Sequence, residues 1–279
     1  MIIINKSNIK IIATLLIKNE EDIISKNIEH HINQGVSNFI ITDNASSDKT
    51  RSIIEKYPEV VDIIDEHDNS HRQSEWVTRM ARLACKYNPD WIVHIDGDEL
   101  WCGLNNLRFI KDSYVSSTKM FLHPPTNSDF SLSNMKYYLN FENIPDLDGE
   151  SKVAHRPDLD VTITFGNHGF TGNPKIHFTK KIWRHHYPIR SYKQFLNKIQ
   201  GHKALQRRNS VLDRWKKWHD LNEKNELHNF YIKLCNSWES MIENPNKEDF
   251  LELLEFWSTK DVYEFFKKNE FMPTVESFS

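Results

Sequence analysis

The chain has 279 residues, 38% of them hydrophobic, 12% aromatic and 27% charged, with a formal net charge of −3. That length supports one large or two small domains around a sizeable core. The near-balanced charge gives no general attraction to nucleic acid or anionic lipid, so any polyanion must be held by a few placed groups or by a metal. Cys85, Cys102 and Cys235 stand far apart with no CxxC spacing. This excludes a disulfide framework and a thiolate zinc centre and suits a reducing compartment.

The opening stretch MIIINKSNIKIIATLLIKNEED carries apolar runs interrupted by Asn5, Lys6, Asn8 and Lys10. It has no continuous apolar segment of the signal-peptide kind and reads as a strand. No run approaches the roughly 18 apolar residues of a membrane span, and a soluble, cytoplasmic chain is expected. Residues 9–17 form a β-branched, apolar run suited to a strand covered on both faces. Residues 20–34 form a helix with Ile23, Ile24, Ile28 and Ile32 on one side and acids in its first turn. Gly35 stops it. Residues 38–42 are a second strand, 50–57 a second helix ending at Pro58, and 60–65 a third strand. Over residues 72–87, Trp76, Met80, Leu83, Ala84 and Tyr87 recur at helical spacing. Residues 91–96 form a fourth strand.

This alternation implies a mostly parallel sheet between helix layers, with ligands bound beyond the carboxyl ends of its strands. Residues 14–19, 43–48 and 96–99 lie at such ends and should converge on one crevice. Past Trp101 the pattern loosens: residues 119–123, 161–165 and 176–178 read as strands, and 127–156 as polar turns. From about residue 191 the chain is helical, with Trp215, Trp218 and Trp238 as core candidates. The expected division is an α/β domain over residues 1–190 and a helical C-terminal region over 191–279.

The strongest chemical signal is Trp91-Ile92-Val93-His94-Ile95-Asp96-Gly97-Asp98-Glu99-Leu100. An interior strand ending in three carboxylates pays self-repulsion, which a divalent cation relieves. Asp96 and Asp98 could reach one Mg²⁺ or Mn²⁺ across a tight Gly97 turn, with phosphate oxygens as further ligands. Helix capping is the plainer reading of the same acids. A second signal is Asp43-Asn44-Ala45-Ser46-Ser47-Asp48-Lys49-Thr50. Turn and cap chemistry accounts for Ser47 and Asp48; Asp43 is the candidate acceptor for a base N–H or ribose hydroxyls.

Leu16-Ile17-Lys18-Asn19-Glu20-Glu21, the Asp43–Thr50 stretch and Asp96-Gly97-Asp98-Glu99, taken in order, resemble glycosyltransferase family 2 and its relatives with the GT-A fold. The likeness covers about residues 9–200 and is nearest to a branch with K-V-x-x-R-P and H-Y-x-x-R-S segments. Here these are Lys152-Val153-Ala154-His155-Arg156-Pro157 and His186-Tyr187-Pro188-Ile189-Arg190-Ser191. The resemblance implies a GT-A-like α/β fold with a helical extension, a nucleotide-sugar donor such as a UDP-sugar, and a glycan, lipid or protein acceptor. It also implies inversion at the transferred carbon. Nucleoside contacts would come from Thr14, Asn19, Glu20, Asp43 and Asn44, and metal ligands from Asp96, Asp98 and His186. Arg72 or Arg79, flanking Gln73 on the helix before the fourth strand, would reach the diphosphate.

Two departures stand out: no E-D pair that would supply the catalytic base, and no Q-x-x-R-W segment. Candidates for the base are His168, Glu150 and Asp129. His30-His31, His67 and His71 do not form H-E-x-x-H, and Trp183 is a candidate sugar platform that reads equally well as core. Alternatives within reach of the same residues are a non-catalytic carbohydrate-binding protein and a metal-dependent nucleotidyltransferase. The latter lacks its usual glycine-rich loop after the first strand, and a dinucleotide-binding G-x-G-x-x-G is likewise absent.

Overall fold

The computed structural model describes residues 9–68, 72–141, 151–201, 213–257, 260–269 and 272–277. Two compact units emerge, one from Met1–Asp68, Arg72–Lys119 and Asp148–Arg184, the other from Asn69–His71, Met120–Leu147 and His185–Ser279. The second unit thus takes in residues 120–147, which a single cut at residue 190 leaves with the first.

In chain order the first stretch runs β1 (Ile11–Ile17), α1 (Ile24–Asn33), β2 (Val36–Asp43), α2 (Thr50–Ile54), β3 (Val60–Asp65), α3 (Gln73–Ala84) and β4 (Trp91–Asp96). There follow β5 (Glu99–Cys102), β6 (Tyr114–Leu122), β7 (Tyr137–Asn140), β8 (Lys152–His155) and β9 (Ile176–His186). Strands β1, β2, β3 and β4 pair in parallel in the order β3-β2-β1-β4, as the alternation predicts. Beyond β4 the sheet turns antiparallel through β8 and the part of β6 in this unit.

Burial on both faces explains why β1 is apolar at every position but Thr14. Ile11, Ala13, Leu15 and Ile17 face a core shared with Ile24 and Ile28 of α1, Phe39 and Ile41 of β2, and Val93 and Ile95 of β4. Ile12, Ile40 and Ile92 face the other side, against Val77, Met80, Ala81 and Ala84 of α3. The result is a three-layer α/β/α unit.

Register decides where the chemistry lies. Leu16 sits opposite Asp96, and Ile17 opposite Asp43, which is itself opposite Asp65. The three predicted loop segments therefore leave one edge of the sheet. Because the chain runs outward from β1 to β3 and returns to β4 on the other side of β1, the topological switch point falls between β1 and β4.

Several expectations are corrected. Helix α1 starts at Ile24 because the chain first turns, with the N–H groups of Ile23 and Ile24 both donating to the Glu20 carbonyl (3.0 and 2.9 Å). Residues 161–165 are not a strand; one isolated bridge joins Ile163 to Phe170. The stretch read as turns contains β7 and β8, and β9 runs to 11 residues.

In the second unit, β7 pairs antiparallel with the end of β6 and with β10 (Thr274–Ser277). Helices α4 (Tyr192–Gly201), α5 (Asp213–Glu223), α6 (Leu227–Glu243), α7 (Lys247–Trp257) and α8 (Lys260–Lys268) complete it. Trp215, Trp218 and Trp238 are buried there, and the Trp218 ring meets Phe195 edge-on at 5.1 Å. They are core residues. No helix among the described residues is long and apolar enough to cross a membrane.

Gly103 closes the turn after β5 with φ +76°, and a Cβ there would drive into the Lys181 carbonyl and come within 2.9 Å of the Trp183 ring. Gly103→Ala is therefore expected to cost about 1–3 kcal/mol, from positive φ and backbone collision together. A fall of several degrees in melting temperature is the expected reading; an unchanged melt would contradict it.

Candidate functional site

The acids at the end of β4 are set by α1. Ile24, Asn27, Ile28 and His31 form its buried face, and the Asn27 amide donates to the carbonyls of Asp96 (3.2 Å), Gly97 (3.0 Å) and Glu99 (2.9 Å). The amide's orientation is fixed in turn by His31. The Trp101 N–H donates to His31 Nε2 (3.0 Å), so Nδ1 carries the proton and donates to the backbone and side-chain oxygens of Asn27 (2.7 and 3.0 Å). Burial, with His30 adding to it, pushes the His31 imidazole down to about 3 and keeps it neutral. Gly97 does not sit in the left-handed region. Its side of the turn needs space instead: a Cβ would come 3.2 Å from Glu20 Cγ and 3.3 Å from Ile17 Cγ2.

Around the carboxylates lie two interior cations. Lys152, from the first position of β8 and 4% exposed, bonds Asp96 Oδ2, donates to the Gly166 carbonyl (2.7 Å) and lies 3.6 Å from Glu99 Oε1. Arg184 on β9, fully buried, pairs with Glu99 Oε1 at 3.0 Å, while Trp101 Nε1 donates to Glu99 Oε2 (3.2 Å). Asn167 Nδ2 donates to Asp96 Oδ1 at 2.8 Å. Burial raises the Asp96 carboxyl, Glu99 and Asp98 push the same way, and Lys152 opposes them. Burial works to lower the Lys152 ammonium, but the carboxylates of Asp96 and Glu99 outweigh it and hold it above its ordinary value. Asp96 nonetheless keeps 27% of its side chain accessible, whereas Asp98 is 6% exposed and Glu99 fully buried.

The loop beside Asp96 brings in His168. Gln73 Oε1 accepts from the Gly166 N–H (3.1 Å), Asn167 adopts φ +60°, and His168 stands exposed with Nδ1 2.6 Å from the Ser151 carbonyl. A carbonyl only accepts, so Nδ1 donates and Nε2 is the basic nitrogen of the neutral ring.

The remaining expected contacts mostly hold the edge together. Thr14 is mid-strand, 1% exposed, with its hydroxyl 2.7 Å from His94 Nδ1, so its side chain belongs to the sheet interior. Asn19 adopts φ +56°; its N–H donates to Ser46 Oγ (3.0 Å) and its Oδ1 accepts from the Ser47 N–H (2.7 Å). The Glu20 N–H donates to Thr50 Oγ1 (2.8 Å). Asp43 Oδ1 accepts from the Ser46 N–H (3.0 Å), and Asn44 Nδ2 donates to the carbonyls of Glu66 (3.0 Å) and Asp68 (3.1 Å). Arg72 pairs with Asp68 and Glu75, and Arg79 with Glu66, all as ordinary surface contacts.

His186 belongs to the second unit, half-buried at the end of β9. Asp129 is exposed in that same unit, and Glu150 lies outside the described residues. Trp183 is part-buried against Gly103.

Asp96, Asp98 and the Asn167 carbonyl oxygen are all hard oxygen donors, the set that suits Mg²⁺ or Mn²⁺. Asn167 is 2% exposed, and its Oδ1 has no hydrogen-bond partner. No group of three or more His, Cys, Asp or Glu poised to hold a metal occurs among the described residues. A cation held by Asp96, Asp98 and Asn167 would need phosphate oxygens and water to complete its shell.

Sequence reading gave no role to Asn27, Asn167 or Arg184, weighed His31 only as part of a histidine pair, and named Lys152 only within its K-V-x-x-R-P segment. Asn27 and His31 were detectable as polar residues interrupting the apolar stripe of α1.

No protein-family profile matches the chain, and no curated protein matches it in sequence. Among solved structures it is similar to S. aureus TarS 1–349, with a TM-score of 0.44 and 13% identity over 88% of this chain and 78% of that one. The same protein in complex with UDP gives 0.43 and 10% over 92% and 83%. Glucosyl-3-phosphoglycerate synthase from Mycobacterium tuberculosis with Mn²⁺, UDP and glucosyl-3-phosphoglycerate gives 0.31 and 19% over 42% and 45%. At such similarity nothing about this chain's chemistry follows from theirs.

Asn27→Leu removes the side-chain donor shared by three turn carbonyls and is expected to cost about 2–4 kcal/mol. Urea titration should show a lower midpoint at unchanged slope; an unchanged midpoint contradicts the anchoring role. A second outcome concerns acid. His31 and His155 bind protons in the folded chain only near pH 3 and 4, against 6.5 for the free imidazole. The unfolded chain therefore takes up protons first as pH falls, and stability is full above about pH 6.5 and lost progressively towards pH 4 and 3. Melting curves between pH 7.5 and 4 should fall steadily; a flat profile contradicts buried neutral imidazoles.

Proposed function

We propose that the chain is a metal-dependent glycosyltransferase of the family 2-like, GT-A-like kind, moving a sugar from a nucleotide diphosphate donor, a UDP-sugar, to a hydroxyl of a glycan, lipid or protein. The observation that carries this reading is the placement of Asp96-Gly97-Asp98-Glu99 at the switch point of a parallel sheet, beside the loops that follow β1 and β2. That edge is where an α/β sheet binds nucleotides, and the acids are the groups that recruit a hard cation to a diphosphate.

Asp96 and Asp98 would hold the ion, which when bound supplies charge to the departing diphosphate. The loop after β1 and the Asp43 loop, laced together by Asn19, Ser46, Ser47 and Thr50, form a rigid rim for the nucleoside. His168 then takes the acceptor's proton on Nε2 as the acceptor oxygen attacks C1. The C1–O bond to the diphosphate breaks, the leaving oxygen keeps the electron pair, and C1 is inverted. The Ser151 carbonyl holds the imidazole in the tautomer this requires.

A second reading has its own support. Lys152 and Arg184 neutralise much of the acid charge from inside, as in a protein that keeps the fold for binding without turnover.

Release of UDP from UDP-sugars in the presence of Mn²⁺ decides between them. Sustained release supports transfer, and its absence with all common nucleotide sugars supports the binding protein. Asp98→Ala should abolish release with little change in melting temperature. His168→Ala should lower kcat by about 10²–10⁴-fold with little effect on UDP affinity. An Asp98→Ala protein with normal turnover would sink the proposal.

A further inference from the structure

A lysine ammonium in the middle of a would-be cation site is at odds with a simple metal cage. Among the described residues, Lys152 bonds Asp96 and approaches Glu99, and Arg184 pairs with Glu99, so two cations already stand among the acids of this corner. The side chain of Lys152 is 5% exposed, so solvent does little to screen it. It bonds Asp96 directly, holds the Gly166 carbonyl at 2.7 Å and approaches Glu99 to 3.6 Å. Arg184 pairs with Glu99 Oε1 at 3.0 Å and donates to the Ser117 carbonyl at 3.5 Å. A divalent ion approaching Asp96 thus meets a fixed positive neighbour.

An independent observation points to a ligand here. Asn167 is 2% exposed and donates to the same Asp96 carboxylate, yet its carbonyl oxygen is buried without a partner. A buried acceptor left unsatisfied beside an accessible carboxylate is a place for an electropositive group.

We propose that Lys152 is a positioning residue that makes divalent cation binding conditional on the nucleotide diphosphate. Its ammonium holds the Asp96 carboxylate and the Gly166–Asn167 turn in one arrangement and repels a bare dication. When a diphosphate brings its own negative charge, that repulsion is offset and the same lysine favours the anion. Ion and nucleotide then enter together, each raising the affinity for the other by the same factor. This inference rests on the nucleotide-site reading above.

The experiment is Mn²⁺ titration followed by electron paramagnetic resonance, with and without saturating UDP, on the wild-type chain and on Lys152→Met, Lys152→Gln and Lys152→Arg, with melting and circular dichroism as fold checks. In the wild type, Mn²⁺ should bind weakly alone and at least tenfold more tightly with UDP. Lys152→Met, or Lys152→Gln should the methionine variant fail to fold, should bind Mn²⁺ alone at least tenfold more tightly than wild type. Its coupling to UDP should fall towards unity. Lys152→Arg should keep most of the wild-type coupling. A folded neutral variant with wild-type Mn²⁺ affinity and coupling overturns the role of Lys152 while leaving the nucleotide site standing. Wild-type protein that binds neither Mn²⁺ nor UDP overturns both.

Discussion

Carboxylates gathered at the tip of an interior strand repel one another and resist burial, and the first unit is arranged around meeting that cost. Glu99 is fully buried and is answered by Arg184 and the Trp101 indole. Asp96 is answered by Lys152 and Asn167. Trp101 neighbours Glu99 on β5, but Lys152, Arg184 and Asn167 come from β8, β9 and the loop at residue 167, far along the chain from the acids. Closing the antiparallel flank of the sheet therefore also assembles the charge balance at its carboxyl edge. Removing one member of such a buried pair leaves an uncompensated charge, which costs far more than the pair itself contributes.

The backbone of the corner is held by a separate, neutral device. Asn27 and His31 lie on the face of α1 that packs against the sheet and serve the carbonyls of the turn. Because His31 stays neutral, it can accept from the Trp101 N–H and donate to Asn27 at the same time. A charged ring would lose the first of these bonds. Polar groups on the buried face of α1 thus fix the turn, while charged groups from the far side of the sheet fix its side chains.

Legibility in the sequence followed the length and regularity of each element. Strands β3 and β4 were read to the residue, and the parallel order of β1 to β4 followed from their alternation with helices. Strands β7 and β8 were missed because four residues carry too little periodicity. In β8 the interior residue Lys152 also reads as a surface position. Residues 161–165 misled in the opposite sense: Val161 and Ile163 are buried against α3 without belonging to a ladder. At the site, the acids of the D-G-D-E corner were visible because their local spacing carries the signal. Lys152, Asn167 and Arg184 were not, since each acts only through a long-range pairing that the chain order does not reveal.

The loops at the carboxyl edge make a further distinction. Asn19, Asp43 and Asn44 are engaged with the neighbouring loop or with backbone, and Thr14 is sealed under the sheet. These side chains shape the rim, so whatever binds there must be read largely by what the rim still presents. Asp96 is the member of the acid corner that remains accessible, and it is also the one bound to Lys152. The group most open to a ligand is thus the group most firmly held before a ligand arrives. A carboxylate already held by an interior ammonium attracts a lone cation less than an unpaired one does.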